Sequence, residues 1–308
     1  MTRIVTVTLN PAVDLACSAD NIQPTHKVRT FDEHIDPGGG GINVARVLHV
    51  LGSEVTALIV AGGVTGALIE DLLSEAGVPH ETVHCRGRTR ISFTVFDRVT
   101  KQEFRFVPQG PTAEPHDWTE ILSRLEAAEC GWIVASGSLE PGMPPGVYAD
   151  MARLARRRGI RFAVDTSGAP LRAALEAGVD LVKPSLSELE AYVGHALPDA
   201  ASREAEAMAL VRAGRAAIVA VTLGEAGAIL ASEAGVIHRP GIRVPPRSAV
   251  GAGDSFMAGM VWGLSRGLAP SGALLWGIAA GTAAVTQAGT ARVRREDVEA
   301  WREKVSAS

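Results

Sequence analysis

Residues 36–51 read DPGGGGINVARVLHVL, a proline and four consecutive glycines that lead directly into an amphipathic helical pattern. Glycines have no side chain that could fill a core, so a run of them lets other groups approach its backbone closely. Asn43 falls in the first turn of the predicted helix, where its amide can reach a hydroxyl group of a substrate. A flexible loop is the alternative interpretation, but the helix that follows at once anchors the run.

Short apolar strands alternate with helical patterns over most of the chain. The strands that we expect are Ile4–Thr8, Thr56–Val60, Trp132–Ala135, Arg161–Val164, Leu181–Lys183 and Ile218–Leu223. They are continuous apolar runs, as strands buried on both faces should be. The alternation predicts βαβ units and an α/β fold whose mostly parallel sheet is covered by helices. The C-terminal part differs, because it reads as three successive helices, Ala252–Arg266, Ser271–Gln287 and Arg294–Val305.

Two segments interrupt this rhythm. Residues 13–36 contain little helical pattern, and residues 89–107 alternate as a β-hairpin does. We expect the two segments to pair into a small sheet that stands over the strand ends as a lid. An edge extension that serves only dimerisation is the alternative, and both roles can hold together because an exposed small sheet needs covering. No repeat or linker divides the chain, so residues 1–308 are expected to form a single domain.

Composition and charge restrict the class of protein. Of 308 residues, 46% are hydrophobic and the formal net charge is −4, which fits a globular enzyme and provides no basic field for nucleic acid or an anionic membrane. The three cysteines are far apart and form no CxxC, which argues against a disulfide framework or a zinc site and favours a reducing compartment. The chain has no signal-peptide pattern and no apolar run of bilayer length, so a cytoplasmic location is expected.

The segment Val250-Gly-Ala-Gly-Asp-Ser-Phe256 carries the clearest chemical signal. Gly251 and Gly253 let backbone approach a ligand closely, and the start of the following helix presents unpaired N–H groups to an anion. Phosphoryl transfer needs this arrangement: donors for the charge of the γ-phosphate, and a carboxylate, here Asp254, that takes the proton of the attacking hydroxyl. A plain helix cap is the alternative role for Asp254.

Three further segments lie at predicted strand ends, where open α/β sheets bind their ligands. Asp14 follows the first strand and is placed to accept hydrogen bonds from sugar hydroxyls. Glu188, with Lys183 as a cationic neighbour, suits a magnesium–nucleotide site because Mg²⁺ keeps most of its waters and needs few carboxylates. Residues 221–228 form a strand and a turn with two glycines, on whose backbone a nucleotide could lie. Taken singly, Asp14 is also typical of a turn and Glu188 of a helix surface.

Together these segments resemble the PfkB, or ribokinase-like, carbohydrate kinases. The two signatures are DPGGGGINVARVLHVLG and VGAGDSFMAGM, and the segments TVTLNPAVD, KPSLSELE and TLGEAGA also match, so that nearly the whole chain is covered. The resemblance implies a ribokinase-like three-layer α/β fold with a β-lid, ATP and Mg²⁺ as co-substrates, and a homodimer whose lids clasp.

The resemblance also implies roles for individual residues. Asp254 is the base, beside an anion hole from the backbone of Gly251, Ala252 and Gly253. The sugar is expected on Asp14, Gly39, Gly40 and Asn43, and the nucleotide on Lys183, Ser185, Thr222, Gly224 and Gly227, with Mg²⁺ on Glu188. Ser185 departs from the Asn-x-x-Glu motif of the family, which leaves the role of position 185 open. The monovalent cation that the family often uses, such as K⁺, would be held by backbone around Ser248, Val250 and Gly289.

Within the family, TLNPAVD and GGGGINVAR are similar to the sugar-phosphate kinases, above all the minor 6-phosphofructokinase type. The related 1-phosphofructokinases and tagatose-6-phosphate kinases tend to carry lysine where this chain has Gly40. A phosphorylated substrate needs cations near its far end, and Lys27, Arg29 and Arg90 lie in the lid segments. Solvated residues on strand faces are the alternative interpretation. Ser138 is similar to a family residue beside the sugar phosphate.

The expected reaction is therefore fructose 6-phosphate plus ATP giving fructose 1,6-bisphosphate. Fructose 1-phosphate or tagatose 6-phosphate is the alternative substrate, and a non-catalytic sugar-phosphate sensor on the same fold is the alternative from another class. A GDS-type esterase would share Gly253-Asp254-Ser255, but it also needs a late Asp-x-x-His, which this sequence lacks. The run at 38–43 misses the third glycine of a dinucleotide-binding motif, and no Gly-Lys pair of a P-loop occurs.

Overall fold

The computed structural model describes residues 2–245, 248–287, 290 and 292–307. The strands in this part of the chain are β1 (Ile4–Thr8), β2 (Ala12–Ala19), β3 (Thr30–Gly38), β4 (Val55–Ala61), β5 (His80–His84), β6 (Arg90–Asp97), β7 (Glu103–Phe106), β8 (Trp132–Ser136), β9 (Arg161–Asp165), β10 (Val179–Val182), β11 (Ala216–Thr222), β12 (Ala228–Ser232) and β13 (Gly235–Arg239). The α-helices are α1 (Gly40–Val50), α2 (Gly63–Glu75), α3 (Pro115–Ala127), α4 (Val147–Arg157), α5 (Gly168–Ala177), α6 (Leu186–Val193), α7 (Ala200–Arg212), α8 (Ala252–Ser265), α9 (Pro270–Val285) and α10 (Arg295–Ala307).

Most strands join one large sheet in the order β13-β12-β11-β10-β9-β8-β1-β4-β5. All neighbouring pairs from β5 to β11 are parallel, and the two pairs that include β12 are antiparallel. Strands β1 and β4 are buried along their whole length, which explains their unbroken apolar sequences, because helices cover both faces of the sheet. The predicted mostly parallel sheet is confirmed, and each predicted strand is found within two residues of its expected ends.

The helices form one layer on each face of the large sheet, and each layer has its own core. The first core contains apolar side chains of α1, α2, α8, α9 and α10, and the second contains those of α3 to α7. Helices α8 and α9 approach closely because of small residues: a Cβ on Gly277 would come within 2.9 Å of the Met260 side chain. The predicted three layers and the three successive C-terminal helices are confirmed. No helix in the described ranges has the length and hydropathy needed to cross a bilayer.

A second sheet of four strands, here called the small sheet, has the order β3-β2-β6-β7. The β2–β3 and β6–β7 pairs are antiparallel, and the β2–β6 pair is parallel. The predicted segments 13–36 and 89–107 supply these strands, so their expected pairing is confirmed. Because β2 follows β1 closely and β3 ends just before α1, the base of the small sheet adjoins the glycine run and the carboxyl end of β1.

Candidate active site

The glycine run and the start of α8 meet at the carboxyl edge of the large sheet. Asn43, in the first turn of α1, donates a hydrogen bond of 2.9 Å from Nδ2 to Oδ2 of Asp254, in the first turn of α8. The Oδ1 atom of Asn43 is buried and has no hydrogen-bond partner among the described residues. The amide nitrogen therefore serves Asp254, and Oδ1 is the atom left for a hydroxyl of the substrate.

The carboxylate of Asp254 is held by several polar groups. Besides the bond from Asn43, the hydroxyl of Ser136 at the end of β8 donates to Oδ1 at 3.3 Å. Burial raises the pKa of Asp254 above its ordinary value, and the bond from Asn43, the charge of Lys183 and the bond from Ser136 offset only part of this. A carboxylate with a raised pKa is a better proton acceptor near neutral pH. The geometry therefore suits general-base chemistry.

The glycine run is explained by close approach of neighbouring groups. A Cβ on Gly38 would collide with the carboxylate of Asp14, and one on Gly40 would collide with the hydroxyl of Ser136. Gly39, the N-cap of α1, has a φ of 117°, which strongly favours glycine. Glycine at position 40 thus makes room for the serine that binds the predicted base.

Asp14 lies on β2 and lines a cavity of about 320 Å³ at the small sheet. Burial raises the pKa of Asp14 to about 6, while a hydrogen bond with Thr290 and the positive charge of Arg105 lower it. Ser248 and Val250, part of the predicted monovalent-cation segment, line the same cavity. Gly289, the third residue of that prediction, lies outside the described residues. The sugar-binding prediction for Asp14 thus concerns a carboxylate that lines a cavity large enough for a small molecule.

An ion-pair cluster joins the base of the small sheet to the C-terminal helices. Asp36, directly opposite Asp14 on β3, accepts from Arg292 Nη2 at 2.9 Å and from Arg46 Nη2 at 3.2 Å. Arg46 also donates to the carbonyl oxygen of Thr290 at 2.9 Å. The cluster therefore fixes Thr290 beside the cavity that Asp14 lines.

Arg90, which the sequence predicts at the sugar phosphate, is bound to backbone. Its guanidinium donates to the carbonyl oxygens of Pro108 at 2.8 Å, Asn10 at 2.9 Å and Pro11 at 3.4 Å. The side chain is close enough to Asp14 for its charge to lower the pKa of that carboxyl. Arg90 thus ties the strand-end segment 10–11 to the segment after β7, and any phosphate contact would be additional to these bonds.

Lys27 and Arg29 lie at the end of the small sheet that is remote from Asp14. Both are exposed residues of the loop between β2 and β3. Ala19, the last residue of β2 before that loop, is five residue steps along the strand from Asp14, which corresponds to roughly 17 Å. Within one chain the structure therefore does not bring these two cations to Asp14, and their contact with the sugar stays a prediction.

Ser138 lies in the loop after β8 and is tied to the end of β1. The Nδ2 atom of Asn10 lies 3.3 Å from Ser138 Oγ, and it also donates to the carbonyl oxygens of Gln109 at 2.9 Å and Leu139 at 3.2 Å. These bonds join three separate segments on the side of the cleft that carries Asp14. The contact of Ser138 with the sugar phosphate stays a prediction.

A second buried group lies behind the start of α8. Lys183 Nζ, just after β10, is 3.1 Å from Asp165 Oδ2 at the end of β9. Burial raises the pKa of Asp165 to about 7 against the opposing charge of Lys183. Burial lowers the pKa of Lys183, but the carboxylates of Asp165, Glu188 and Asp254 outweigh it and leave that pKa raised. A Cβ on Gly253 would lie 3.3 Å from Lys183 Nζ, so the cation sits against the predicted anion hole.

Ser185 and Glu188 form a capping box at the start of α6. The backbone N–H of Ser185 donates to Glu188 Oε2 at 2.7 Å, and the N–H of Glu188 donates to Ser185 Oγ at 3.3 Å. The backbone N–H of residue 185 therefore orients the carboxylate of Glu188, and the serine side chain caps the helix. The described residues contain no group of three His, Cys, Asp or Glu side chains arranged around a metal, and Mg²⁺ is commonly held by one or two carboxylates and waters.

Thr222, Gly224 and Gly227 follow one another at the end of β11. The N–H of Thr222 donates to the carbonyl oxygen of Pro184 at 3.0 Å, which brings this strand end beside the Lys183 segment. Gly224 has a φ of 61°, and a Cβ on Gly227 would collide with the carbonyl oxygen of Arg239. The predicted strand and turn are present at the same edge as Lys183 and Ser185, and their contact with a nucleotide stays a prediction.

Four residues of the cleft do not follow from the sequence predictions: Ser136, Asp165, Arg105 and Thr290. Ser136 and Asp165 each end a buried strand, which is the signal that singled out Asp14. Alternate residues of the predicted hairpin lie on opposite faces. Once the strand pairing was known, Arg105 could therefore have been placed on the same face as Asp14. Thr290 carries no comparable signal.

Comparison with known proteins assigns the chain to a family. The sequence model of the family described as pfkB family carbohydrate kinase matches residues 1–296 of this chain. The ATP-dependent 6-phosphofructokinase isozyme 2 of Mycobacterium tuberculosis H37Rv is 42% identical over 299 residues, which cover 96% of this chain and 88% of that protein. The 1-phosphofructokinase of Rhodobacter capsulatus is 34% identical over 270 residues, 86% of this chain and 85% of that protein.

Solved structures agree with this assignment. Phosphofructokinase-2 from Escherichia coli in complex with fructose-6-phosphate has a TM-score of 0.93 at 34% identity and covers 99% of this chain and 100% of that one. The structure of the same protein with potassium has a TM-score of 0.95 at 35% identity, with the same coverage. Ribokinase from Thermotoga maritima shares the fold, with a TM-score of 0.75 at 22% identity over 98% of this chain and 100% of that one. The predicted ribokinase-like fold is confirmed, and the chain belongs to the pfkB family of carbohydrate kinases.

Proposed function

We propose that this kinase transfers the γ-phosphoryl group of ATP to the C1 hydroxyl of fructose 6-phosphate and so forms fructose 1,6-bisphosphate. The observation that carries the proposal is the contact between Asn43 and Asp254, which joins the sugar-side glycine run to a half-buried carboxylate with a raised pKa. The relative named ATP-dependent 6-phosphofructokinase isozyme 2 and the Escherichia coli structure with fructose-6-phosphate support the choice of donor and acceptor.

Asp254 accepts the proton of the C1 hydroxyl as the hydroxyl oxygen attacks the γ-phosphorus, and ADP leaves. The first-turn N–H groups of α8 have no partner within the helix and face the negative charge that develops on the transferred group. Lys183, held against Gly253 by Asp165, adds a positive charge behind this turn. Asp14 and the Oδ1 atom of Asn43 orient the sugar by accepting from its other hydroxyls.

The nucleotide side combines one lysine with three carboxylates. The charges of Asp165, Glu188 and Asp254 all raise the pKa of Lys183, so the three carboxyl groups lie near its ammonium. Glu188, oriented by the capping box, would hold Mg²⁺, which neutralises charge on the phosphates when bound. Thr222, Gly224 and Gly227 offer backbone to the rest of ATP. The potassium in the Escherichia coli structure supports a monovalent cation beside Ser248 and Val250.

Phosphorylation of fructose 1-phosphate is the second candidate, and the 34% identity to the Rhodobacter capsulatus 1-phosphofructokinase favours it as the alternative. Measured ATP consumption with fructose 6-phosphate, fructose 1-phosphate, tagatose 6-phosphate and fructose separates the candidates. We expect the highest kcat/KM with fructose 6-phosphate. A higher value with another acceptor would overturn the substrate assignment, and binding of a sugar phosphate without ATP consumption would identify a sensor.

We also propose that two chains form a homodimer through the small sheet. Ile35, Phe106 and Ile91 lie on the face of the small sheet opposite to Asp14. The strand register aligns Ile35 with Phe106 across the sheet, and Ile91 is two residues before Phe93, which pairs with Phe106. The side chains of Ile35, Phe106 and Ile91 are 43%, 58% and 48% exposed. An open sheet face of this kind is a liability unless it is covered, and a second copy would cover it.

Light scattering after size exclusion tests the dimer. Phe106→Ser should convert the dimer to a monomer, whereas Val64→Ser, which removes an exposed apolar side chain from α2, should leave the mass unchanged. A dimer that persists in the Phe106 variant would reject this interface.

The free cysteines Cys17, Cys85 and Cys130 fit the proposed cytoplasmic location, since that compartment keeps thiols reduced.

A further inference from the structure

Asp14 shares its face of the small sheet with a second carboxylate, Asp36. The two residues pair directly across the β2–β3 ladder, so their side chains lie close together on one face. The carboxylate of Asp14 leans toward the base of the sheet, because a Cβ on Gly38 would collide with it, and Gly38 pairs with Ala12, two residues before Asp14. The two carboxylates therefore have the same polar neighbours available to them.

Asp36 binds the two arginines of this region. Arg292 donates from Nε to both carboxylate oxygens at 3.0 and 3.1 Å and from Nη2 to Oδ1 at 2.9 Å. Arg46 Nη2 lies 3.2 Å from the same Oδ1 atom. These three residues, here called the Asp36 cluster, satisfy a carboxylate that is only 4% exposed. The arginines are thus engaged by Asp36, and the carboxylate of Asp14 stays available for a ligand.

Thr290 joins the Asp36 cluster to Asp14. Its backbone N–H donates to Asp36 Oδ2 at 3.4 Å, and its carbonyl oxygen accepts from Arg46 Nη1 at 2.9 Å. Its side chain forms a hydrogen bond with Asp14, in which the hydroxyl is the donor when Asp14 is ionised. Thr290 is buried and lines the same cavity as Asp14. One residue therefore contacts one carboxylate through its backbone and the other through its side chain.

The bond from Thr290 restricts the conformation of Asp14. Burial lowers the pKa of Arg46, and the charges of Asp36 and Asp14 oppose this, so Asp14 lies within electrostatic reach of that guanidinium. Without the hydroxyl of Thr290, the carboxylate of Asp14 could turn toward Arg46 and away from the cavity. A carboxylate that is already in place when the sugar arrives loses less side-chain freedom on binding, which favours affinity.

We propose that Thr290 is a positioning residue for the acceptor sugar: its hydroxyl fixes the carboxylate of Asp14, and the Asp36 cluster holds Thr290 in place. This inference rests on the proposed function, because that function assigns Asp14 to the sugar. It gives Thr290, which follows α9 in the sequence, a role in binding the acceptor and none in the chemical step.

Steady-state kinetics of Thr290→Val and Thr290→Ser test the role of the hydroxyl. Valine keeps the shape and lacks the hydroxyl, so KM for fructose 6-phosphate should rise about ten-fold, the order expected for a lost hydrogen bond to a charged group. We expect kcat and KM for ATP to stay close to the wild-type values. Serine keeps the hydroxyl and should restore most of the affinity. An unchanged KM in the valine variant, or an equal loss in both variants, would overturn the proposal.

A double-mutant cycle tests the Asp36 cluster. Arg292→Gln removes the bidentate partner of Asp36 at a side chain that is 42% exposed, and it should raise KM for the sugar less than Thr290→Val does. If the cluster acts through Thr290, the double variant has the KM of Thr290→Val alone, whereas a direct effect of the Arg292 charge on the substrate would be additive. Additive effects would refute the role of the cluster. Arg294→Gln, at an exposed arginine paired with Asp297, is the control and should leave all constants unchanged.

Two further measurements separate positioning from other roles. A merely structural role would lower the melting temperature and kcat of Thr290→Val together, so thermal unfolding of every variant is measured alongside. Ser248 and Val250 line the same cavity, so the kinetics are repeated at low and at saturating KCl. A defect in KM that disappears at saturating KCl would mean that Thr290 serves the monovalent cation, and the proposal would fail.

The wild-type enzyme in the same assay tests the proposed function separately. If it prefers fructose 1-phosphate, the variants are compared with that substrate. If it turns over none of the acceptors, titration calorimetry with fructose 6-phosphate supplies the same comparison.

Discussion

The two sides of the cleft hold their charged groups in opposite ways. At the carboxyl edge of the large sheet, charged side chains are buried or half-buried and already bound within the protein, as in the 3.1 Å pair of Lys183 and Asp165 and the hydrogen-bonded carboxylate of Asp254. On the small sheet, Arg105 is exposed and has no hydrogen bond or ion pair within the described ranges, and the same holds for Lys27 in the loop between β2 and β3.

This difference separates the chemistry from the selection of the substrate. Buried groups that are fixed in advance cost no reorganisation during the reaction, so they suit the transferred phosphoryl group, which is common to all members of a kinase family. Exposed cations without partners acquire them only when a ligand arrives, so they suit recognition. Changes at the large-sheet edge should therefore act on kcat and on stability, and changes on the small sheet should act on KM.

The largest effect is expected from Asp254→Asn. The amide cannot take the proton of the attacking hydroxyl, so kcat should fall by about 10²- to 10⁴-fold, the usual contribution of a general base. The dissociation constant of fructose 6-phosphate, measured by calorimetry, should change less than three-fold. Asp150→Asn, at an exposed aspartate paired with Arg153, is the control. Near-normal turnover of the Asp254 variant would refute the assignment of the base.

Asp165→Asn should affect both activity and stability. The variant leaves Lys183 buried without its nearest partner, and breaking a buried ion pair from one side costs about 3–5 kcal/mol of unfolding free energy. We expect kcat to fall as well, because Lys183 no longer stays beside Gly253. The double variant Asp165→Asn with Lys183→Met removes both charges.

The double variant separates the two effects. Urea denaturation should show that it regains most of the lost stability, since replacing both partners of a buried pair is often neutral. Its kcat should remain low, because the positive charge behind α8 is gone. A double variant that recovers activity together with stability would mean that the pair is only structural.

The pH dependence should reveal Asp14 on the small-sheet side. Its pKa of about 6 reflects burial, opposed by the hydrogen bond of Thr290 and the charges of Arg105 and Arg90, while Asp36 raises it. The carboxylate that accepts from the sugar is the form above this pKa, so kcat/KM for the phosphosugar should fall by up to ten-fold per pH unit below about 6.

Asp14→Asn is the control for this profile. The variant should have a lower kcat/KM for the phosphosugar at every pH, and its profile should lose the part of the acid limb that belongs to Asp14. Titration of the substrate phosphate remains in both profiles. If the wild type and the variant have acid limbs of identical shape, Asp14 is not the titrating group.

The fold could be predicted because its signals are local. Unbroken apolar runs such as Ile4–Thr8 report strands buried on both faces, and a run of four glycines reports close backbone approach. The positions of Asp14, Asn43 and Asp254 followed from the rule that strand ends and helix starts share one edge of the sheet. That rule applies equally to Ser136 and Asp165, which were missed because a polar residue at a strand end is also an ordinary way to end a strand.

The contacts of the lid cations could not be predicted from the same signals. Which face of the small sheet a side chain occupies depends on strand register, and β2 shifts its register against β3 between Ala16 and Ser18. The three carbonyl oxygens that bind Arg90 belong to loops without a periodic pattern. Segment membership therefore identified a group of cations, but it could not distinguish Arg90, which is bound to backbone, from Arg105, which is not.

The smallest effect is expected from Glu140→Gln, in the loop after Ser138, and it concerns stability. Glu140 is 3% exposed and its Oε2 atom has no partner among the described residues, and burial, together with the charge of Asp117, raises its pKa from 4.5 to about 8. In the unfolded chain the carboxyl ionises above pH 4.5, whereas the folded protein keeps it protonated up to about pH 8. Ionisation therefore favours unfolding increasingly across this window and contributes nothing below it.

Glutamine keeps the shape and cannot ionise, so Glu140→Gln should raise the unfolding free energy by about 1–3 kcal/mol at pH 8 and much less at pH 5. Urea denaturation at both pH values measures the difference, and Glu75→Gln, at an exposed position of α2, is the control. An equal gain at both pH values would mean that the substitution improves packing and that Glu140 does not titrate across this window. A gain confined to high pH would place a carboxyl that is neutral in the folded state beside the loop of Ser138, on the sugar side of the cleft.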